Sequence, residues 1–126
     1  METKSWHKTI IAIGSNCDQD ANISKAIDGL KMVVGGIRQS QIVQTKAVGG
    51  AVGVFKNAML AGQTRLSLDE LTQSVKRIER ECGRKPDDKE RGVIAVDIDI
   101  MEYDGVKLHI ADWQRDYIKA LLGAVL

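Results

Sequence analysis

The stretch VIAVDIDIM, residues 93–101, decides how this chain is read, because it has the β-branched richness of a buried strand yet carries two acids. Side chains alternate faces along a strand, so Asp97 and Asp99 point the same way, with Cα atoms about 6.5–7 Å apart. Val96, Ile98 and Ile100 then take the opposite face. Two readings are open. The acids are the wet side of an amphipathic strand, or they are a pair of metal-binding carboxylates on a rigid floor.

Working outward from that strand, the upstream segment GRKPDDKERG (83–92) reads as a charged loop that holds the only proline. Before it lies a helix. Ser67-Leu68-Asp69-Glu70 is a capping-box pattern, the apolar stripe runs through Leu68, Leu71, Val75, Ile78 and Cys82, and Gly83 stands where a C-terminal cap glycine belongs. Further upstream, FKNAMLAGQ (55–63) reads as a strand with Phe55, Asn57, Met59 and Ala61 on one face. VGGAVG (48–53) is a glycine-rich connector without the lysine or the spacing of a phosphate-binding P-loop. IRQSQIVQT (37–45) reads as one polar edge strand, and Gly35-Gly36 ends a helix that starts near Asp20 after the acidic, capping DQD. KTIIAI (8–13) is a buried strand running into the turn Gly14-Ser15-Asn16. After the acid-bearing strand, Asp104-Gly105 makes a turn and the tail from about Asp112 is mostly helical.

The order β-α-β-β-α-β plus a terminal helix predicts an α+β, ferredoxin-like fold, an antiparallel sheet covered by helices on one face. The other face is then available for a site. A chain of 126 residues fits one domain, spanning 1–126. Its formal charge of +1 argues against a general nucleic-acid binder, which needs a strongly basic face. Two cysteines, Cys17 and Cys82, with no Cys-x-x-Cys pair do not make a disulfide framework, and two distant histidines do not make a zinc site. The polar N-terminus is no signal peptide, and no apolar run approaches the roughly 20 residues of a membrane span. These features predict a cytoplasmic protein, and the guarded, polar edge strand favours a monomer.

Chemistry concentrates around the two aspartates. A pair of strand carboxylates suits Mg²⁺, which takes few protein ligands and keeps water and phosphate oxygens for the rest. Arg84, Lys85, Lys89 and Arg91 lie upstream, and Lys107, His109 and Arg115 downstream. Acids flanked by bases suit metal-bridged polyphosphate, though a solvated charged loop looks the same in sequence. Phe55 and Tyr117 are either core or the two halves of a stacking clamp for a flat heterocycle.

Several collinear motifs now carry a resemblance. IAIGSN follows the first strand, FKNA the glycine-rich connector, and RIERECGR ends the second helix. RGVIAVDIDIM then resembles the R-W-G-P-R-T-L-D-L-D-I-M signature of the 6-hydroxymethyl-7,8-dihydropterin pyrophosphokinase family. The resemblance implies transfer of the β,γ-pyrophosphate of ATP to the pterin hydroxymethyl group in folate biosynthesis, leaving AMP. It implies two Mg²⁺ ions on Asp97 and Asp99, with Arg84 acting beside them in catalysis. Glu79, Arg84, Arg91, His109 and Arg115 would attend the nucleotide. Thr45, Phe55, Asn57 and Tyr117 would bind the pterin. The implied partners are these small molecules, with neither nucleic acid nor membrane. The chain departs from the pattern at Arg91 and Ile94, where the family has tryptophan and arginine, at Pro86, at Thr45-Lys46-Ala47, and in a shortened segment before His109. The departures raise two alternatives: an attenuated homologue that binds pterin or nucleotide without efficient turnover, or an interaction domain with no small-molecule site.

Overall fold

A computed structural model describes residues 5–46 and 53–126. The glycine-rich connector therefore lies outside the described residues, apart from Gly53. The strands are β1 (His7–Ser15), β2 (Gly35–Gln39), β3 (Val43–Lys46), β4 (Val54–Thr64), β5 (Asp97–Tyr103) and β6 (Val106–Lys107). The helices are α1 (Gln19–Leu30), α2 (Leu68–Glu81), a single turn α3 (Asp88–Arg91) and α4 (Asp116–Val125), with a 3-10 turn at Ile110–Gln114. The sheet is antiparallel, in the order β2-β4-β1-β5-β6, with β3 also paired to β4. This is the α+β, ferredoxin-like arrangement that the element order predicts.

Strand alternation gives the sheet two buried faces. Ile11, Ile13, Ala58, Leu60, Ile98 and Ile100 face α1 and α2, meeting Ile23, Ile27, Leu30, Leu71, Val75 and Ile78. Each isoleucine, leucine or valine among them, fully buried, contributes about 1.5–3 kcal/mol. On the other face Ile10, Ala12, Met59 and Met101 pack against Trp113, Ile118, Leu121 and Val125. The terminal helix α4 makes that second core, covering part of the sheet face opposite α1 and α2. Trp113 is fixed there by its indole N–H, which donates to Leu108 O at 2.9 Å.

Local signals set α2 as expected. Ser67 and Glu70 exchange both capping-box hydrogen bonds. At the other end Gly83, at φ +96°, donates to Arg80 O and Arg84 N–H donates to Glu79 O, a Schellman stop that needs a residue tolerant of the left-handed region.

Elsewhere the structure differs from expectation. The polar segment 37–45 is two strands, because Ser40 takes over a rung of the ladder. Its backbone N–H donates to Met59 O, and its hydroxyl oxygen accepts from Met59 N–H, both at 2.8 Å. A side-chain oxygen where a carbonyl would stand ends one pairing before the next begins. The first helix stops at Leu30, and its cap residue Asp18 has φ 45° and makes no side-chain capping bond. The strand of the two acids begins at Asp97, four residues later than the apolar run suggests. The charged loop contains the α3 turn.

Candidate functional site

Across the far face, strand register lines up Asn57 on β4, Gly14 on β1 and Asp97 on β5. One rung further in, Met59, Ala12 and Asp99 form a parallel row. The two aspartates thus share a face, as the alternation predicts, and between them and β4 the floor is glycine and alanine. The space above Gly14 is bounded closely: a Cβ there would lie 2.8 Å from Asn57 Oδ1 and 3.7 Å from a ring carbon of Phe55. Asn57 cannot swing aside freely, since its amide donates to the Thr45 hydroxyl across the β3–β4 pair. Gly14→Ala is therefore expected to lower stability by about 1 kcal/mol, overpacking outweighing the entropy gained on leaving glycine. An unchanged urea midpoint would show that the Asn57 side chain yields.

Electrostatics distinguish the two acids. Burial first, and the adjacent Asp97 charge second, push the Asp99 carboxyl up to about 6, while the nearby His109 pulls the other way. His109 Nε2 lies 3.9 Å from Asp99 Oδ1, from a residue held in the left-handed region at φ 51°. Asp97 has a closer cation. Arg84 Nη1 donates to Asp97 Oδ1 at 2.8 Å and to Glu79 Oε2 at 2.6 Å. The same Glu79 oxygen accepts from Ile98 N–H at 2.8 Å, so a buried carboxylate of α2 closes the edge of β5. Burial raises the Glu79 pKa, and the hydrogen bond from Ile98 and the charge of Arg84 offset part of that rise.

Glu79, Arg84, Asp97, Asp99 and His109 line one groove of about 380 Å³ between α2 and the edge of β5, with Leu68 and Leu108 among its apolar walls. Thr45, Phe55 and Asn57 sit on the neighbouring part of the sheet, across Gly14. Tyr117 enters from the first turn of α4 and packs at the edge of the second core. Burial raises its phenol pKa, the Arg115 charge lowers it, and the charges of Asp112, Asp99 and Asp97 raise it further. Arg115 itself donates from Nε to Asp112 Oδ1 at 3.0 Å. Neither Arg115 nor Arg91 lines the groove, and Arg91 lies 3.9 Å from both Asp87 and Asp88.

The donor set fits a hard cation that brings its own remaining ligands. No group of three or more His, Cys, Asp or Glu able to hold a metal occurs among the described residues. Two carboxylates without such a cage suit Mg²⁺ completed by phosphate and water, and do not suit a closed structural site.

Asn16, in the turn after β1, ties that turn to the approach to β5. Its side chain donates to Gly92 O at 2.7 Å and accepts from Ile94 N–H at 2.6 Å. Those contacts lie 76 and 78 residues along the chain, so no local pattern announces them.

Residues 10–125 match the family model for 7,8-dihydro-6-hydroxymethylpterin-pyrophosphokinase. The chain is 29% identical over 135 aligned positions to a folate synthesis bifunctional protein of Arabidopsis thaliana, covering 97% of this chain and 28% of that protein. It is 33% identical over 129 positions to a mitochondrial folate synthesis bifunctional protein of the same plant, covering 92% of this chain and 23% of that one. The chain thus spans about a quarter of the length of these relatives. No helix among the described residues is long and apolar enough to cross a membrane.

Proposed function

This chain belongs to the 7,8-dihydro-6-hydroxymethylpterin-pyrophosphokinase family, and we propose that it transfers the β,γ-pyrophosphate of ATP to the hydroxymethyl group of the dihydropterin in folate biosynthesis. The observation that carries the proposal is the pairing of Asp97 and Asp99 on one sheet face, with the close approach of Asn57 to Gly14 on one side and the Arg84–His109 groove on the other. In the reaction the hydroxymethyl oxygen forms a bond to the β-phosphorus, the bond from that phosphorus to the α-phosphate oxygen breaks, and the hydroxyl proton is lost as AMP leaves. The protein supplies no nucleophile. Its contribution is orientation and charge neutralisation.

Asp97 and Asp99 would hold Mg²⁺, which would supply neutralisation of the phosphate charge. Asn57, oriented by Thr45, would hydrogen-bond the pterin edge, and Phe55 and Tyr117 would bracket its ring. The groove beside β5 would take the nucleotide, with His109 and Arg84 at its charged end. Arg115 would contribute through its charge beside Tyr117. Arg91, paired in α3, would need to leave Asp87 and Asp88 to reach phosphate.

That last point, together with the engagement of Arg84 by two carboxylates, favours a second reading: a homologue that retains ligand binding with little turnover. The two are separated by incubating the chain with ATP, Mg²⁺ and 6-hydroxymethyl-7,8-dihydropterin. AMP that appears only with the pterin is the expected outcome. Pterin binding without AMP, from folded protein, would establish the attenuated reading instead.

A further inference from the structure

The ladder between β1 and β5 ends at the pair Gly14 and Asp97, yet the chain upstream of Asp97 stays alongside the end of β1. Asn16 ties it there with three hydrogen bonds. Asn16 N–H donates to Ile94 O at 3.1 Å, its side-chain amide donates to Gly92 O, and its side-chain oxygen accepts from Ile94 N–H. The carboxamide presents a donor and an acceptor side by side, as a peptide group does, so it continues the pairing past the point where the backbones diverge.

We propose that Asn16 is a positioning residue for the Asp97/Asp99 pair, fixing how the charged segment 83–96 delivers the two carboxylates to the sheet. The inference rests on the functional reading above. Segment 83–96 has its own internal frame: Asp88 Oδ2 accepts from Lys85 N–H at 2.8 Å, and Val93 N–H donates to Asp88 O at 3.1 Å. It is tied to the rest of the molecule at its start by Arg84, bonded to Glu79 and Asp97, and near its end by Asn16. Gly92, at φ +70°, turns the chain between that frame and the strand. Without the Asn16 ties, residues 92–94 lose their hydrogen bonds to the turn after β1, and the approach to β5 is held by Arg84 and by the buried Val96 side chain. Asp97, three residues beyond Ile94, is then held less closely against its ladder partner Gly14. Thr45, Phe55 and Asn57 are joined through the β3–β4 pair and the Asn57–Thr45 hydrogen bond, which do not involve Asn16.

The test is Asn16→Ala in the full chain, with three readouts: amide exchange from Ile94 to Asp99, affinity for Mg²⁺ with a non-hydrolysable ATP analogue, and affinity for the pterin. The expected result is faster exchange reaching Ile98 and Asp99, and Mg²⁺-nucleotide affinity lower by about tenfold, as for other residues that orient metal ligands. Pterin affinity should stay within about twofold, because its contacts lie elsewhere. Equal weakening of both ligands, or faster exchange confined to Ile94 with nucleotide affinity unchanged, would overturn the proposal. Should Asn16→Ala not fold, Asn16→Asp keeps the acceptor for Ile94 and removes the donor to Gly92, and the same contrast between ligands is expected. If the wild-type chain binds neither ligand, the functional reading fails, and exchange at Ile98 and Asp99 still decides whether Asn16 orders the strand.

Discussion

Asp99→Asn is expected to remove the response to Mg²⁺ and lower pyrophosphate transfer by at least about a hundredfold. The same substitution should make the metal-free chain more stable at pH 8. Both effects have one origin. The Asp99 carboxyl titrates near 6 in the folded chain, well above the ordinary 3.8, because burial and the Asp97 charge oppose its ionisation. A raised carboxyl pKa means that the folded state holds its proton more tightly than the unfolded state does. The contribution of this group to stability is therefore complete below pH 3.8 and lost as pH rises through about 6.

Discounted for the partial exposure of Asp99, that loss is about 1–2 kcal/mol. Asparagine has no charge to bury, so the variant should unfold at higher urea than wild type at pH 8 and at the same urea near pH 3.5. Mg²⁺ competes with the proton for the same oxygens. Its stabilisation of the wild type, read as a rise in melting temperature, should fade below pH 6. An Asp99→Asn variant that still responds to Mg²⁺, and is no more stable at pH 8, would return the two acids to the plainer role of a wet strand face.

What was legible in the sequence follows the range of the interactions that set it. The shared face of Asp97 and Asp99 is a property of strand period, and the ends of α2 are set within four residues by Ser67, Glu70 and Gly83, so each could be read locally. The break at Ser40 could not, because it depends on Met59 lying opposite, and a serine in a polar run has no mark of it. The far-side position of α4 depends on which sheet face Trp113 and Ile118 find. Of the candidate site, residue types were legible and partners were not. Arg84 reads as a phosphate ligand by its position, whereas its recorded hydrogen bonds are to Glu79, Asp97 and Val96. Arg91 reads the same way and is turned toward acids of its own helical turn. A charged side chain chooses among partners brought near by the fold, and that choice is made after the pattern is written.

Glu79→Ala is expected to be the most destabilising single change at the site, by about 3 kcal/mol. One oxygen of this buried carboxylate serves both Ile98 N–H and Arg84. Truncation leaves the strand-edge amide of Ile98 without its acceptor and removes one of the two carboxylates around a guanidinium that is itself largely buried. Water entering the cavity would recover part of the loss. Glu79→Gln keeps the volume and one acceptor oxygen, and should cost about half as much, since burial already opposes the charge of the native carboxylate. The two variants should also differ at Asp97. With alanine, Arg84 has only Asp97 and the Val96 carbonyl to bond, and an arginine held on that carboxylate competes with any cation for its oxygens. With glutamine the side-chain oxygen still offers Arg84 an alternative. Urea unfolding gives the first comparison, and Mg²⁺ titration the second. A loss below 1 kcal/mol for alanine would mean that Arg84 and Ile98 are satisfied without Glu79, and that the edge of β5 is held by its apolar contacts with α2.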